Sequence, residues 1–224
     1  MSSFANRLSV NSEVQISTGD ALLEGNLRIP QNARAMVIFV HGSGSGRHSA
    51  RNKFVAKSLN DFGLGTLLFD LMTGEEELID MRGGTLRFDI AFLTKRVLAA
   101  TEWLQNEENT KDLSMGYFGA STGAAAALCA AGEQPGVISA VVSRGGRPDL
   151  AGKNNLKRVS CPTLFLVGSR DEAVIGFNQD AIKHMSVQKE LRIIPGAGHL
   201  FEELGRLEIV SEFACRWFGL HLRK

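Results

Sequence analysis

Short apolar segments alternate with amphipathic ones along most of the chain. Continuous apolar runs such as AMVIFV (35–40) and TLFLVG (163–168) are typical of strands that are buried on both faces of a sheet. Between such runs, apolar residues recur at helical spacing, as Ile90, Leu93 and Val97 do. The pattern predicts strands at 13–18, 21–30, 35–40, 65–70, 113–119, 136–143, 163–168 and 190–195. It predicts helices at 51–62, 87–105, 121–132, 178–185 and 203–222.

The order of these elements indicates the fold class. The first two strands form a hairpin joined near Gly19 and Asp20, and strand alternates with helix from Met36 onward. This alternation predicts an α/β fold, a mostly parallel sheet with helices on both faces that are joined by right-handed crossovers. A chain of 224 residues is long for one domain and short for two, so we expect residues 1–224 to form a single domain.

The loop GASTG (119–123) carries the first candidate for chemistry, because ligands of parallel sheets bind beyond the carboxyl ends of the strands. A predicted strand turns there directly into a predicted helix. Gly119 and Gly123 leave room for a strained turn that lifts the Ser121 hydroxyl above the sheet. A G-x-S-x-G pattern can arise by chance in a glycine-rich chain, but its place between strand and helix makes Ser121 the candidate nucleophile.

A serine nucleophile needs a base, and the base needs a carboxylate that orients it. Among the five histidines, His199 lies in the loop after the last predicted strand, at the same end of the sheet as Ser121. Asp171 follows the strand at 163–168 and is the predicted orienting acid. Asp149 follows the preceding strand and is the alternative. The adjacent Glu172 is expected to be a surface residue.

An acyl-transfer enzyme also needs N–H donors for the oxyanion that develops on the substrate carbonyl. One predicted donor is the amide of Thr122, the residue after the nucleophile. The other is the amide of Ser43, in the loop HGSGSGRHS that follows the strand at 35–40. His41 is expected to hold this loop in place. The chain has neither G-x-G-x-x-G nor G-x-x-x-x-G-K, which argues against a nucleotide-binding domain.

Several cationic side chains fall in loops at the same end of the sheet. The candidates for binding an acidic group of a substrate are Arg47, His48, Arg144 and Arg147, with Arg51 and Arg82 as further members of the group. The alternative is that they form ion pairs with neighbouring acids and only hold loops. The acids available for such pairs are Asp70, Asp149 and Glu75 to Glu77.

Composition and charge limit the classes of partner and the cellular compartment that we expect for this protein. A net charge of +1 gives no electrostatic reason to expect nucleic acid or an anionic membrane. The longest apolar runs are too short to span a bilayer, and the stretch MSSFANRLSVNSEVQ lacks the apolar segment of a signal peptide. The three cysteines are widely spaced and contain no C-x-x-C pair, so we expect reduced thiols in a cytoplasmic protein.

The motifs HGSGSG, GASTG, VGSRDEAV and GAGHLFEE, in this order and each after a predicted strand, resemble the α/β-hydrolase superfamily across nearly the whole chain. The stretches HGSGSGRHSARN and LLFDLMTGEEE are most similar to its small bacterial branch that includes dienelactone hydrolase. The resemblance implies an eight-stranded sheet, a triad of Ser121, His199 and Asp171, and hydrolysis without a cofactor or metal. Dienelactone hydrolases proper carry a cysteine as nucleophile, whereas this chain has Ser121 there.

These features together predict a serine hydrolase of carboxylic esters. The segment between residues 144 and 162 is too short for a cap domain, so we expect an open site for small or water-soluble esters. Alternatives on the same triad are cleavage of thioesters, lactones or short peptides. A different class of function, a non-catalytic ligand-binding protein on the same fold, also stays open, and the oligomeric state is not predicted.

Overall fold

A computed structural model describes residues 9–222 of the chain, and the strands within that range form one sheet. The eight strands of the described range are β1 (Val10–Ser17), β2 (Leu22–Ile29), β3 (Ala35–Val40), β4 (Gly65–Phe69), β5 (Ser114–Ala120), β6 (Ile138–Arg144), β7 (Thr163–Gly168) and β8 (Lys189–Ile194). Their order across the sheet is β1-β2-β4-β3-β5-β6-β7-β8. Strand β2 pairs antiparallel with both of its neighbours, and the pairs from β4 to β8 are parallel. The predicted α/β-hydrolase fold, with a mostly parallel sheet of eight strands, is confirmed.

Helices cover both faces of the sheet, as the alternation of elements predicts. The helices are α1 (Ala50–Asp61), α2 (Gly74–Gly83), α3 (Ile90–Asn106), α4 (Thr122–Glu133), α5 (Gly152–Arg158), α6 (Glu172–Ala181) and α7 (Arg206–His221). Apolar side chains of α1 and α7 form the buried core on one face. Those of α3, α4 and α5 form the core on the other face.

Apart from shifts of up to three residues at the ends of the other helices, the observed helices differ from the predicted ones in three elements. Helix α6 begins at Glu172 and not at residue 178, and a short 3-10 turn (Ile182–His184) follows it. Helices α2 and α5 are not predicted from the sequence at all. Helix α5 has only seven residues, and α2 buries a single side chain, Asp80, so neither produces an apolar stripe that the sequence pattern can reveal.

The segment between β6 and β7 contains a 3-10 turn (Pro148–Ala151) and the short α5. It therefore carries no cap domain, in agreement with the prediction from its length. The single-domain prediction covers residues 1–224, of which residues 1–8 and 223–224 lie outside the described range.

Helix α4 lies unusually close to the sheet, because every residue from Thr122 to Gly132 is buried and most are alanine. The closest approach is at Gly123 in its first turn. A Cβ atom on Gly123 would lie 2.3 Å from the carbonyl oxygens of Val40 and His41. The backbone of α4 is thus packed directly on the end of β3, and this contact fixes the position of Ser121 just before the helix.

Replacing Gly123 with alanine is expected to lower the free energy of unfolding by about 3 kcal/mol, because backbone atoms cannot move aside as a flexible side chain would. Urea denaturation monitored by circular dichroism measures this change. The matched control is Gly176→Ala in the exposed interior of α6, where the added Cβ meets nothing within 4 Å. That substitution is expected to raise the free energy of unfolding by about 1 kcal/mol. Similar effects of the two substitutions would contradict the close packing of α4.

Candidate active site

Ser121 forms the turn between β5 and α4 and has φ 50° and ψ −123°. A positive φ is unfavourable for a residue with a side chain and persists only where the surroundings enforce it. Three backbone hydrogen bonds hold the turn: the Ser121 amide donates to the carbonyl of Arg144 at 3.3 Å, and the carbonyl of Ser121 accepts from the amides of Ala124 at 3.1 Å and Arg147 at 3.0 Å. Gly42 packs against it so closely that a Cβ there would lie 2.9 Å from the Ser121 Cβ. The serine is therefore held in the strained turn that the motif predicts.

His199 bridges Ser121 and Asp171. Its Nδ1 lies 2.6 Å from Oδ2 of Asp171, and its Nε2 lies 3.3 Å from Oγ of Ser121. Because a carboxylate only accepts, Nδ1 carries the proton in the neutral imidazole and Nε2 is free to accept the serine proton. The structure thus brings together the three side chains that the sequence singled out, each beyond the carboxyl end of a different strand.

The two acids that the sequence left open have different partners. Asp149 receives two hydrogen bonds from the guanidinium of Arg147, at 2.9 and 2.7 Å. Oδ2 of Asp171 accepts a hydrogen bond from the imidazole of His199, and the Asp171 side chain is mostly buried. Glu172 is exposed in the first turn of α6, as expected. The geometry therefore favours Asp171 as the acid that orients His199.

The two predicted oxyanion donors lie side by side. Thr122 is the first residue of α4, so its amide has no carbonyl partner within the helix. The amide of Ser43 donates a 2.9 Å hydrogen bond to the side-chain hydroxyl of Thr122. This bond ties the loop after β3 to the turn at Ser121. An oxyanion that used the Ser43 amide would have to share it with the Thr122 hydroxyl or displace that hydroxyl.

His41 and Asp70 hold the loop after β3 against the end of β4. The Nε2 of the buried His41 accepts a hydrogen bond from the Leu71 amide at 3.0 Å, and its Nδ1 lies 3.0 Å from the carbonyl of Gly42. Asp70 accepts hydrogen bonds from the Arg47 amide at 2.7 Å and from the Arg47 guanidinium at 2.6 Å. The supporting role that the sequence predicts for His41 agrees with these contacts.

The four predicted cationic binding residues lie in different environments. Arg47 is paired with Asp70 and Glu24, and Arg147 is paired with Asp149. These pairs match the alternative in which the arginines hold loops. His48 is exposed, with its Nδ1 3.3 Å from the Nζ of Lys53. Arg144 is buried, with only 7% of its surface exposed, and is oriented away from these ion pairs toward Asn52 and Leu200.

A cavity of about 560 Å³ lies between the loop after β3 and helix α2. On one side it is lined by residues 44–46 and 48–51, and on the other by Glu77, Asp80 and Met81 of α2. The buried carboxylate of Asp80 pairs with Arg87, which also faces the cavity. Burial alone would raise the pKa of Asp80, but the hydrogen bonds from Arg87 outweigh it and lower that pKa. This cavity adjoins the loop that carries Ser43 (the Ser43 loop), and its lining does not include Ser121, Asp171 or His199.

The cysteines contact elements away from the triad. Cys129 donates toward the carbonyl of Ala151, and Cys215 toward the carbonyl of Ser58. Burial raises the pKa of the Cys161 and Cys215 thiols to about 11, so both are protonated at neutral pH. A protonated thiol is a weak nucleophile, which leaves Ser121 as the candidate.

Within residues 9–222, no group of three or more His, Cys, Asp or Glu side chains is arranged to hold a metal ion. No helix in the same range has the length and apolarity needed to cross a bilayer.

The family model and a closely similar solved structure agree on one family, whereas the curated relatives carry a different name. Residues 23–216 match the model of the "Dienelactone hydrolase family". The structure of a dienelactone hydrolase from Anabaena variabilis is 51% identical and covers 96% of this chain and 99% of its own, with a TM-score of 0.94. Est1E from Butyrivibrio proteoclasticus shares the fold at 18% identity, with a TM-score of 0.77 and coverage of 93% of this chain and 97% of its own.

Two curated relatives from Mycobacterium tuberculosis carry a different name, "Putative phosphoribosyl transferase". Each is 49% identical over 212 residues, which are 95% of this chain and 47% of the relative. The chain thus spans about half the length of the curated relatives that it matches.

The burial of His41 predicts that the free energy of unfolding depends on pH. Burial lowers the pKa of His41 below that of a histidine in the unfolded chain, about 6.5. Below that pH the unfolded state binds more protons than the folded state, so the free energy of unfolding falls as the pH falls. For a single group the slope is at most about 1.4 kcal/mol per pH unit.

Chemical denaturation of the wild type and of His41→Gln at pH values from 8 to 5 tests this effect. Glutamine keeps an amide oxygen that can accept a hydrogen bond from the Leu71 amide, but it does not titrate, so the variant is expected to show a flatter slope below about pH 6.5. Equal slopes for the two proteins would contradict a buried, neutral His41.

Proposed function

The chain belongs to the dienelactone hydrolase family, and on this basis we propose that it is a serine hydrolase that cleaves small carboxylic esters through an acyl-enzyme. One observation carries the proposal: His199 lies within hydrogen-bonding distance of both Ser121 Oγ and Asp171 Oδ2. A hydroxyl next to an oriented imidazole is the arrangement that activates a serine at neutral pH.

The proposed reaction has two halves. Ser121 Oγ attacks the carbonyl carbon of the ester while Nε2 of His199 takes the hydroxyl proton. The tetrahedral intermediate collapses, its bond to the leaving alcohol breaks, and His199 returns the proton to that alcohol. Water then attacks the acyl-enzyme with His199 again as the base, which releases the carboxylic acid and restores Ser121. Asp171 keeps the imidazole in the required tautomer throughout.

The amides of Thr122 and Ser43 are proposed to stabilise the oxyanion in both halves. The free amide of Thr122 lies at the N-terminus of a twelve-residue helix, where the helix dipole also favours negative charge. The Ser43 amide is held beside it by the Thr122 hydroxyl. Removal of one such donor typically lowers kcat by a factor of about 100 or more.

The same triad is able to cleave thioesters, lactones or short peptides, and these remain the alternatives within the proposal. The activated arrangement of Ser121, His199 and Asp171 argues against a non-catalytic binding protein, because a binding role gives no reason for it. We do not extend the transferase name of the Mycobacterium tuberculosis relatives to this chain. Those proteins are about twice as long, and the chain matches less than half of each.

An activity-based probe tests the proposal directly. A fluorophosphonate is expected to form a covalent adduct on Ser121 of the wild type, which mass spectrometry of the digested protein locates. Ser121→Ala is expected to remain unlabelled, and Ser43→Ala, which keeps the backbone amide, is expected to label. The absence of an adduct on Ser121 in folded wild-type protein would defeat the catalytic proposal.

A series of p-nitrophenyl esters then tests the substrate class. Short acyl chains are expected to give the highest kcat/KM, because no cap domain covers the site to shield a long apolar chain. The matched thioester and lactone substrates separate the alternatives on the same triad. A kcat/KM that rises steadily with acyl length would contradict the expected preference for small esters.

A further inference from the structure

Arg144 is the last residue of β6 and lies beside the nucleophile. In the sheet it is opposite Ala120, and its carbonyl accepts the hydrogen bond from the Ser121 amide. Its side chain reaches the loop that carries His199, at the carbonyl of Leu200. Arg144 therefore contacts the turn at Ser121 through its backbone and the loop that carries His199 through its side chain.

The buried guanidinium of Arg144 is paired with no carboxylate of the described residues. Its Nη1 lies 3.5 Å from the carbonyl oxygen of Leu200, its Nη2 lies 3.4 Å from Oδ1 of Asn52, and its Nε has no partner. Burial, and the nearby charge of Arg51, lower the pKa of Arg144 to about 10, so the group still carries its charge at neutral pH. A buried charge without an opposite charge is costly and needs compensation from the groups that it does contact.

Those compensating groups belong to the His199 loop and to α1. Leu200 directly follows His199, and Asn52 lies in the first turn of α1. The guanidinium carbon also lies 6.0 Å from the centre of the Phe201 ring, whose face is electron-rich and attracts a cation. Three partly negative groups, a carbonyl, an amide oxygen and an aromatic face, thus surround one positive charge.

Phe201 itself has a strained backbone, with φ 58°, and its side chain is fully buried. A residue other than glycine holds such a conformation only when its surroundings enforce it. The Phe201 amide makes a long 3.4 Å hydrogen bond to the carbonyl of Gly198, so the local backbone alone holds the turn weakly. The burial of its ring in the apolar core, beside the Arg144 guanidinium, adds tertiary restraint.

We infer that Arg144 is a positioning residue: its buried charge holds Leu200 and Phe201 so that the imidazole of His199 stays between Asp171 and Ser121. The inference rests on the proposed hydrolase function, and it gives Arg144 a different role from the binding of a substrate anion. The two roles predict different kinetics. A positioning residue affects kcat for every substrate, whereas an anion-binding residue affects KM for anionic substrates only.

The test compares Arg144→Met, Arg144→Lys and the wild type on one neutral ester and on one anionic ester of equal acyl length. For Arg144→Met we expect kcat to fall about 100-fold on both esters with KM nearly unchanged, because a small displacement of a catalytic group has an effect of this size. Arg144→Lys keeps the charge and is expected to recover part of kcat. Arg216→Met, at an exposed arginine of α7 that pairs with Glu212, is the matched control and is expected to match the wild type.

Two further measurements keep the inference testable if Arg144→Met folds poorly. Asn52→Ala removes one of the contacts of Arg144 without removing its charge, and it is expected to lower kcat in the same direction by a smaller factor. The His199 Nδ1 proton in the short bond to Asp171 is expected to give a downfield proton NMR signal in the wild type. That signal is expected to broaden or disappear in folded Arg144→Met, which a loss of global stability alone would not cause.

Each outcome decides between defined possibilities. A wild-type kcat in folded Arg144→Met and Asn52→Ala overturns the inference, and so does a rise in KM confined to the anionic ester. An unchanged His199 signal in Arg144→Met also overturns it. If the fluorophosphonate fails to label the wild type, the proposed function fails, whereas the NMR comparison still tests whether Arg144 positions His199.

Discussion

Strand β5 leads into α4 through a single residue with a positive φ, Ser121. The geometry of this turn constrains the loops and the helix that pack around it. A strained turn of this kind needs neighbours that leave it no alternative. Here the neighbours are glycines: Gly123 packs against the carbonyls at the end of β3, and Gly42 packs against the side chain of Ser121. Because backbone packs on backbone, the loop after β3 and the first turn of α4 have fixed relative positions. The Ser43 amide and the Thr122 hydroxyl can therefore form their hydrogen bond across a separation of 79 residues.

The strands, and the order of the three triad candidates after them, were predictable because they depend on local patterns. Buried parallel strands are continuous apolar runs, and the residues that follow them meet at one edge of the sheet. The choice between Asp149 and Asp171 depends on pairing, which spacing does not reveal. Asp149 is held by Arg147, two residues before it, in a bidentate contact at the start of the 3-10 turn Pro148–Ala151. The strained φ of Phe201 has no sequence signal, since a phenylalanine in a loop does not indicate a left-handed backbone.

Helix α2 shows a second limit of sequence patterns. Its apolar residues Leu78, Ile79 and Met81 are exposed, so no apolar stripe marks the helix. Polar contacts attach it instead: Thr73 and Glu76 form a capping box, Asp80 pairs with Arg87, and Glu76 pairs with the buried Arg96 at 2.7 Å. Hydrophobic periodicity does not reveal a helix that is attached by ion pairs. It nevertheless forms one side of the cavity beside the Ser43 loop, so sequence patterns miss an element that shapes the surface near the candidate site.

The proposed serine mechanism makes the position of the base more demanding than a mechanism with a cysteine nucleophile would. A thiol can ionise before it attacks, so its base may be placed loosely. A serine hydroxyl does not ionise at neutral pH, and its proton must move to the base as the new bond to carbon forms. His199 must therefore stay within hydrogen-bonding distance of Ser121, and its loop contains two glycines and no strand or helix of its own. Rigidity has to come from tertiary contacts, and the cost of burying the Arg144 charge among carbonyl, amide and aromatic groups is consistent with that requirement.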